Sequence, residues 1–324
     1  MKRSPPSFPL IFGLVSALFL LGTARPALSQ TPKIAVLPDN PRLGEPLTVA
    51  LTGYPVKTAL PHREFRAVLK DGNGRRLSQA LFFEFADVNP PLFTALLTLP
   101  STTGADFASI DVEDRGALIV SAPINIQKRE FIRETIELDQ NLSDIRAKPD
   151  PLKAREAAQL WAILSHTGTD IWAADAFIPP IKSTRRTGFF GDRRIFRYAD
   201  GSTDTSIHAG IDYGVPTGTE VGASASGKVV LARLRIVTGY SVVVEHLPGV
   251  YSLYYHLSRI DVSEGSMVKQ GGRLGLSGAT GLATGPHLHW EIRVSGENTD
   301  PDALIARPLL DKNAILSKLY GISP

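Results

Sequence analysis

Gly285-Pro286-His287-Leu288-His289-Trp290-Glu291-Ile292-Arg293-Val294 reads as a strand that carries two imidazoles on one face. Residues two apart in an extended chain project from the same side, so His287 and His289 can point into one site. The same alternation turns Trp290 away, into a core, and returns Glu291 to the site face, where it could orient an imidazole. Upstream, β-type stretches at 221–225, 228–236, 240–246 and 250–257 are marked at their ends by glycines. The stretch from residue 177 to residue 324 is therefore expected to be an antiparallel β domain.

Five of the seven histidines lie beyond residue 200. His208-Ala-Gly-Ile-Asp212 sets an imidazole and a carboxylate four residues apart, and His256 ends the strand-like Tyr251-Ser-Leu-Tyr-Tyr-His256. Counting by twos puts Tyr254 and His256 on one face, with Tyr255 and Leu257 on the other. A lone His-x-His is usually surface, but these fragments together in one β-rich domain point to a metal. Imidazoles with one carboxylate suit zinc, whereas calcium and magnesium prefer oxygen ligands. Three protein ligands leave a fourth tetrahedral position open, the arrangement of catalytic zinc. His208, Asp212, His256, His287 and His289 supply three ligands and leave two imidazoles for acid–base work; the spacing does not say which of His287 and His289 binds. His246, at the end of a Val-Val-Val-Glu run, reads as structural.

The remaining chain reads as support. Lys2 and Arg3, the apolar run Leu10–Leu21 and Ala27-Leu28-Ser29 read as a secretory signal over residues 1–29, with cleavage expected after Ser29 and an uncleaved anchor as the alternative. The mature protein is thus expected to be exported, to the periplasm, the cell envelope or the outside. The first 29 residues hold three bases and no acid, and the rest of the chain has 32 of each, so the charge implies no nucleic acid. Cysteine is absent, which excludes disulfides and thiolate chemistry. Residues 30–128 alternate like short strands, with Asp71-Gly72-Asn73-Gly74 as a hairpin turn, and predict an accessory β-sandwich. Residues 129–176 predict a helical linker: Ile132, Ile136 and Leu138 give a partial apolar face. Asp150 and Pro151 start a second helix with Ala157, Leu160, Trp161 and Leu164 inward, and Gly168 is placed to end it. The basic run Lys182–Arg197 reads as a solvated edge, or else as a contact for an anionic polymer such as a cell wall. The fold class is mainly β: an N-terminal sandwich, a helical linker and a C-terminal antiparallel domain with a zinc groove.

The segment from Gly188 to Pro301 resembles the lysostaphin/LytM-type zinc metallopeptidases, which cut peptide bonds in bacterial peptidoglycan. The likeness rests on His208-Ala-Gly-Ile-Asp212-Tyr-Gly, Gly222-Ala-Ser-Ala-Ser-Gly227, Gly239-Tyr-Ser-Val-Val-Val-Glu-His246, Tyr254-Tyr-His256-Leu257, Ser277-Gly-Ala-Thr-Gly281 and Gly285-Pro-His287-Leu-His289-Trp-Glu291. It implies one zinc ion per chain on His208, Asp212 and His289, with His256 and His287 acting in catalysis. It further implies peptidoglycan as substrate. A noncatalytic envelope protein that regulates another wall hydrolase, and a peptidase of exported peptides, are the competing expectations. An envelope-protein partner would dock through the N-terminal module.

Overall fold

The computed structural model describes residues 31–56, 62–85, 91–173 and 175–321; the segment read as a secretory signal lies outside the described residues. Residues Thr31–Pro324 group as one compact unit. Its first part is built from β1 (Lys33–Leu37), β2 (Pro46–Thr52), β3 (Phe65–Asp71), β4 (Arg76–Leu81), β5 (Phe83–Phe85), β6 (Leu92–Thr98), β7 (Phe107–Asp114) and β8 (Ala117–Asn125). These strands form two antiparallel sheets, in the orders β1-β2-β6-β5 and β4-β3-β7-β8. Leu47, Val49 and Leu51 pack between them against Phe65, Leu69, Ile110 and Val112. The β3–β4 turn is the one expected at Asp71–Gly74: Asp71 Oδ1 accepts from the amides of Asn73 and Arg75, and Gly74 takes φ 77°.

The connecting segment departs from the expected helix. Residues Arg133–Glu137 form β9, followed by α1 (Gln140–Ala147) and α2 (Pro151–Leu164). The sequence Arg-Glu-Thr-Ile-Glu alternates in burial and pairs in parallel with Arg193–Arg197. A two-residue period with Thr135 and Ile136 at its centre suits a strand once an unpaired edge is offered; the partial helical face at Ile132, Ile136 and Leu138 is a by-product of that alternation. Asp150 caps α2 through the amides of Leu152 and Lys153, with Pro151 opening the first turn. The inward face of α2 also differs from the expectation. Leu164 is buried with Leu160 and Ile163 beside it, whereas Trp161 is 60% exposed. The helix ends on Ser165, before Gly168.

The remainder comprises β10 (Arg186–Gly188), β11 (Arg193–Arg197), β12 (Thr203–Ile207), β13 (Gly210–Tyr213), β14 (Glu220–Gly222), β15 (Gly227–Arg235), β16 (Gly239–Leu247) and β17 (Val250–Leu257). It continues with β18 (Arg259–Ile260), β19 (Met267–Val268), β20 (Arg273–Leu276), β21 (Leu288–Val294), β22 (Glu297–Thr299), α3 (Pro301–Ala306) and α4 (Lys312–Tyr320). The main sheet runs β10-β13-β21-β17-β16-β15-β19, with β22 beside β21, and two three-stranded sheets, β12-β11-β9 and β14-β20-β18, flank it. One face of the main sheet buries Trp290, Tyr254 and Ile292; the other carries Leu231, Val243 and Leu253 under α2. The fold is mainly β, as read.

β2 and β6 are buried along their whole length. Their second face explains it: Ala35, Ala50 and Leu92 pack on Ile315 and Leu319 of α4, and Leu96 and Phe83 enter the core that holds Leu309 and Leu310. Thr48 donates to the Leu309 carbonyl at 2.6 Å and Ser295 to the Leu96 carbonyl at 2.7 Å. Among the described residues, no helix is long and apolar enough to cross a membrane.

Candidate metal centre

The pairing of β13 with β21 places Asp212 directly opposite His289. Both side chains then rise from the same face, at the short separation of directly opposed residues. Gly210 stands opposite Glu291, and a Cβ there would meet the Trp290 carbonyl oxygen at 2.1 Å. The glycine between His208 and Asp212 is thus what lets β13 approach β21. His208, just before β13, reaches the same point with its Nε2 3.1 Å from Asp212 Oδ1 and 3.0 Å from His289 Nδ1. Asp212 Oδ1 and His289 Nδ1 are 2.8 Å apart.

These three buried side chains each offer one ligand atom to a common point. Ligands about 2.0–2.2 Å from a tetrahedral ion lie roughly 3.3 Å from one another, so separations of 2.8–3.1 Å need to widen by only a few tenths of an ångström. The donor set, two imidazoles and a carboxylate, fits zinc. The partners of each imidazole also select which ring nitrogen faces the common point. A carbonyl can only accept, so the 2.8 Å contact of His208 Nδ1 with the Phe189 carbonyl puts the proton on Nδ1 and leaves Nε2 as a donor of electrons. His289 turns Nε2 toward Glu291 Oε2 at 3.5 Å, which leaves Nδ1 for the common point. Glu291 is itself held by Arg293.

Electrostatics favour a cation there. Burial works against ionised Asp212, but its close contacts with His208 and His289 outweigh it and hold the carboxyl well below its ordinary range. Burial likewise opposes a charged His289, yet the adjacent Asp212 and Glu291 raise it to about 9. Burial lowers His208 despite its contact with Asp212.

His256 and His287 complete the wall. Their ring centroids are 4.7 Å apart, and His287 Nε2 lies 3.8 Å from Asp212 Oδ1. His256 Nδ1 donates to the Thr280 carbonyl and His287 Nδ1 to the Gly285 carbonyl, both at 2.8 Å. Nε2 is then the basic nitrogen of each ring. Burial, reinforced by His287 and His289, lowers His256 to about 3, so it is neutral at pH 7. The alternation read along Tyr251–His256 fails at its last residue. His256 has φ 60°, a left-handed backbone that side chains rarely adopt, and this turns the imidazole away from the Tyr254 face. Tyr254 faces the opposite core, bonded to Ser252 and Ser224, whereas Tyr255 stands opposite His289 and stacks on it, centroids 5.6 Å apart and rings within 6° of parallel.

All five residues line a cavity of about 620 Å³, together with Tyr255, Arg185, Arg194 and Glu134. Sequence reasoning missed Tyr255, Arg194 and Glu134. His246 is elsewhere, fully buried between the Ser226 carbonyl and the Ser252 hydroxyl. Most bases of the run have partners within the chain, while Lys182 and Arg185 stay exposed. Arg186 pairs with Asp302, Arg193 donates to the Ser101 and Gly191 carbonyls, and Arg197 pairs with Glu137. Arg194 turns inward to Glu134 and Asp212.

Residues 206–301 match the model of peptidase family M23. A 130-residue segment is 39% identical to the DD-carboxypeptidase/endopeptidase Mpg of Neisseria meningitidis, covering 36% of this chain and 30% of that protein. A segment of 89 residues is 46% identical to the peptidoglycan DD-endopeptidase ShyA of Vibrio cholerae, covering 28% of this chain and 21% of that protein. The chain thus spans less than a third of the length of either relative. A Pseudomonas aeruginosa crystal structure assigned to the M23 peptidases superposes with a TM-score of 0.55 at 22% identity, over 82% of this chain and 94% of that one. That likeness concerns the fold, and it extends well beyond the family segment.

Proposed function

We propose, from the premise that this chain carries a peptidase family M23 domain, that it is an exported zinc endopeptidase acting on peptide bonds of peptidoglycan. The observation that carries the reading is the convergence of His208, Asp212 and His289 beside two further imidazoles in one cavity. The two curated relatives are named for peptidoglycan or DD-peptide cleavage, which supports stem peptides or their crosslinks as the substrate. The leader-like first 29 residues support export to the periplasm or envelope.

In this reading His208 Nε2, Asp212 Oδ1 and His289 Nδ1 hold one zinc ion. When bound, the ion supplies Lewis acidity and brings the ionisation of a water toward neutral pH. His256 and His287 present their Nε2 atoms on one side of the ligand cluster, and either can take up the proton released as the amide is attacked. The imidazolium so formed steadies the negative charge growing on the carbonyl oxygen, then returns its proton to the departing amine. Tyr255 and Glu291 keep the His289 ring from rotating.

Incubating the purified protein with peptidoglycan sacculi, with and without chelator, tests the proposal. Mass spectrometry of the released muropeptides should reveal new amino termini that depend on the metal and vanish in D212A. Stoichiometric zinc without any cleavage would overturn the enzymatic reading in favour of a regulator of another hydrolase. Cleavage confined to soluble peptides would overturn peptidoglycan as the substrate.

A further inference from the structure

Asp212 has two oxygens, and they have different partners. Oδ1 faces His208 and His289, whereas Oδ2 lies 2.7 Å from Nη2 of Arg194. Arg194 in turn donates from Nε to Glu134 Oε1 at 2.6 Å. The guanidinium is nearly enclosed, its side chain 14% exposed. Arg194 and Glu134 sit directly opposite each other in the β11–β9 register, so the parallel pairing that replaces the expected helix is what delivers the glutamate.

A third residue is shaped to this contact. A Cβ at Gly188 would come within 2.4 Å of Arg194 Nη2 and 2.8 Å of Asp212 Oδ2. The space that brings guanidinium and carboxylate together is thus the missing side chain of Gly188, whose φ is not in the left-handed region. Steric room, rather than backbone freedom, accounts for that glycine.

Resting on the metal-site reading above, we propose that Arg194 is a positioning residue for the metal ligand Asp212. It occupies Oδ2 so that Oδ1 alone faces the ion, with Glu134 fixing the guanidinium and Gly188 admitting it. Two effects of opposite sign compete. A cationic side chain near a divalent ion repels it, but a carboxylate free to rotate pays an entropic penalty on ligation. Glu134 matches the charge of Arg194, which removes most of the repulsion and leaves orientation in command.

The two effects predict opposite results, and zinc affinity measured by chelator competition on the full chain separates them without any assay of hydrolysis. If Arg194 orients Asp212, R194M weakens zinc binding about 10–100-fold. E134Q, which leaves the guanidinium uncompensated and unanchored, weakens it by a smaller factor, and G188A approaches the R194M value. E134Q added to R194M should produce no further loss, because its only route to the metal has gone. R194K, which keeps a donor for Oδ2 but lacks the second arm, should recover part of the affinity. Unchanged or tighter zinc in R194M, with D212A and H289A losing it, overturns the positioning role and keeps the metal site. Zinc retained in D212A and H289A overturns the metal-site reading itself. Should R194M fail to fold, E134Q and G188A carry the test, and wild-type affinity in both overturns the proposal.

Discussion

The imidazoles of His256 and His287 stand 4.7 Å apart, each with Nδ1 tied to a backbone carbonyl, on one side of the ligand cluster. Neither is needed to complete the convergent set of His208, Asp212 and His289. H256A and H287A should therefore keep their zinc while turnover falls by about 10²–10⁴-fold, the range of a lost acid–base group. Elemental analysis beside a cleavage assay checks this; metal loss equal to that of D212A would refute the division.

Gly210 is a packing requirement for the site. The Trp290 carbonyl occupies the place of its side chain, so G210A has to push β13 off β21 or shift it in register. A loss of about 3 kcal/mol is expected from overpacking against backbone, with zinc binding weakened at least tenfold. Denaturant midpoints and chelator competition give the two numbers, and a variant of wild-type stability and affinity would contradict this account.

His246 should make the protein acid-sensitive for a reason unrelated to zinc. Its burial lowers it to about 4, against an ordinary value of 6.5. As pH falls through 6.5 the unfolded chain takes up the proton first, so the stability His246 contributes is complete above that pH and is lost progressively toward pH 4. About 2 kcal/mol should be gone by pH 5 and roughly 3 by pH 4. Urea unfolding at pH 7 and pH 5 should show wild type losing about 2 kcal/mol more than H246N, although the variant starts lower. Parallel losses in the two proteins would disprove the assignment.

α2 is held by few side chains. Leu164 is 2% exposed, whereas Trp161 is 60% exposed despite its size. L164A should cost about 3 kcal/mol, while W161A should stay within about 0.5 kcal/mol of wild type. Thermal unfolding of both decides; the reverse ranking would show that the helix packs through its other face.

Much of the C-terminal domain was legible because its strands are long, glycine-bounded and paired with chain neighbours. The approximate limits read at 240–246 and 250–257 became β16 and β17. Where reading failed, the cause was non-local. β9 is a strand only because β11 offers an edge about sixty residues on, and no local period reports that. Ala157 and Trp161 fit a helical stripe, yet the surface beneath α2 selects Leu160, Ile163 and Leu164. The side chain of His256 defied alternation because its backbone is left-handed, a choice made by the Thr238 and Thr280 carbonyls that receive its amide and ring. Arg194 was hidden in a run of bases whose individual directions depend on partners far along the chain.

The early strands β2 and β6 are closed on part of their second side by α4, which is made much later. During synthesis this sheet waits with one oily side bare until Lys312–Tyr320 arrives, so anything that shields a nascent chain has to stay until then. A chain stopped at residue 310 should light up a hydrophobic dye that the full-length protein ignores. The helix is therefore a latch on a much earlier part of the chain.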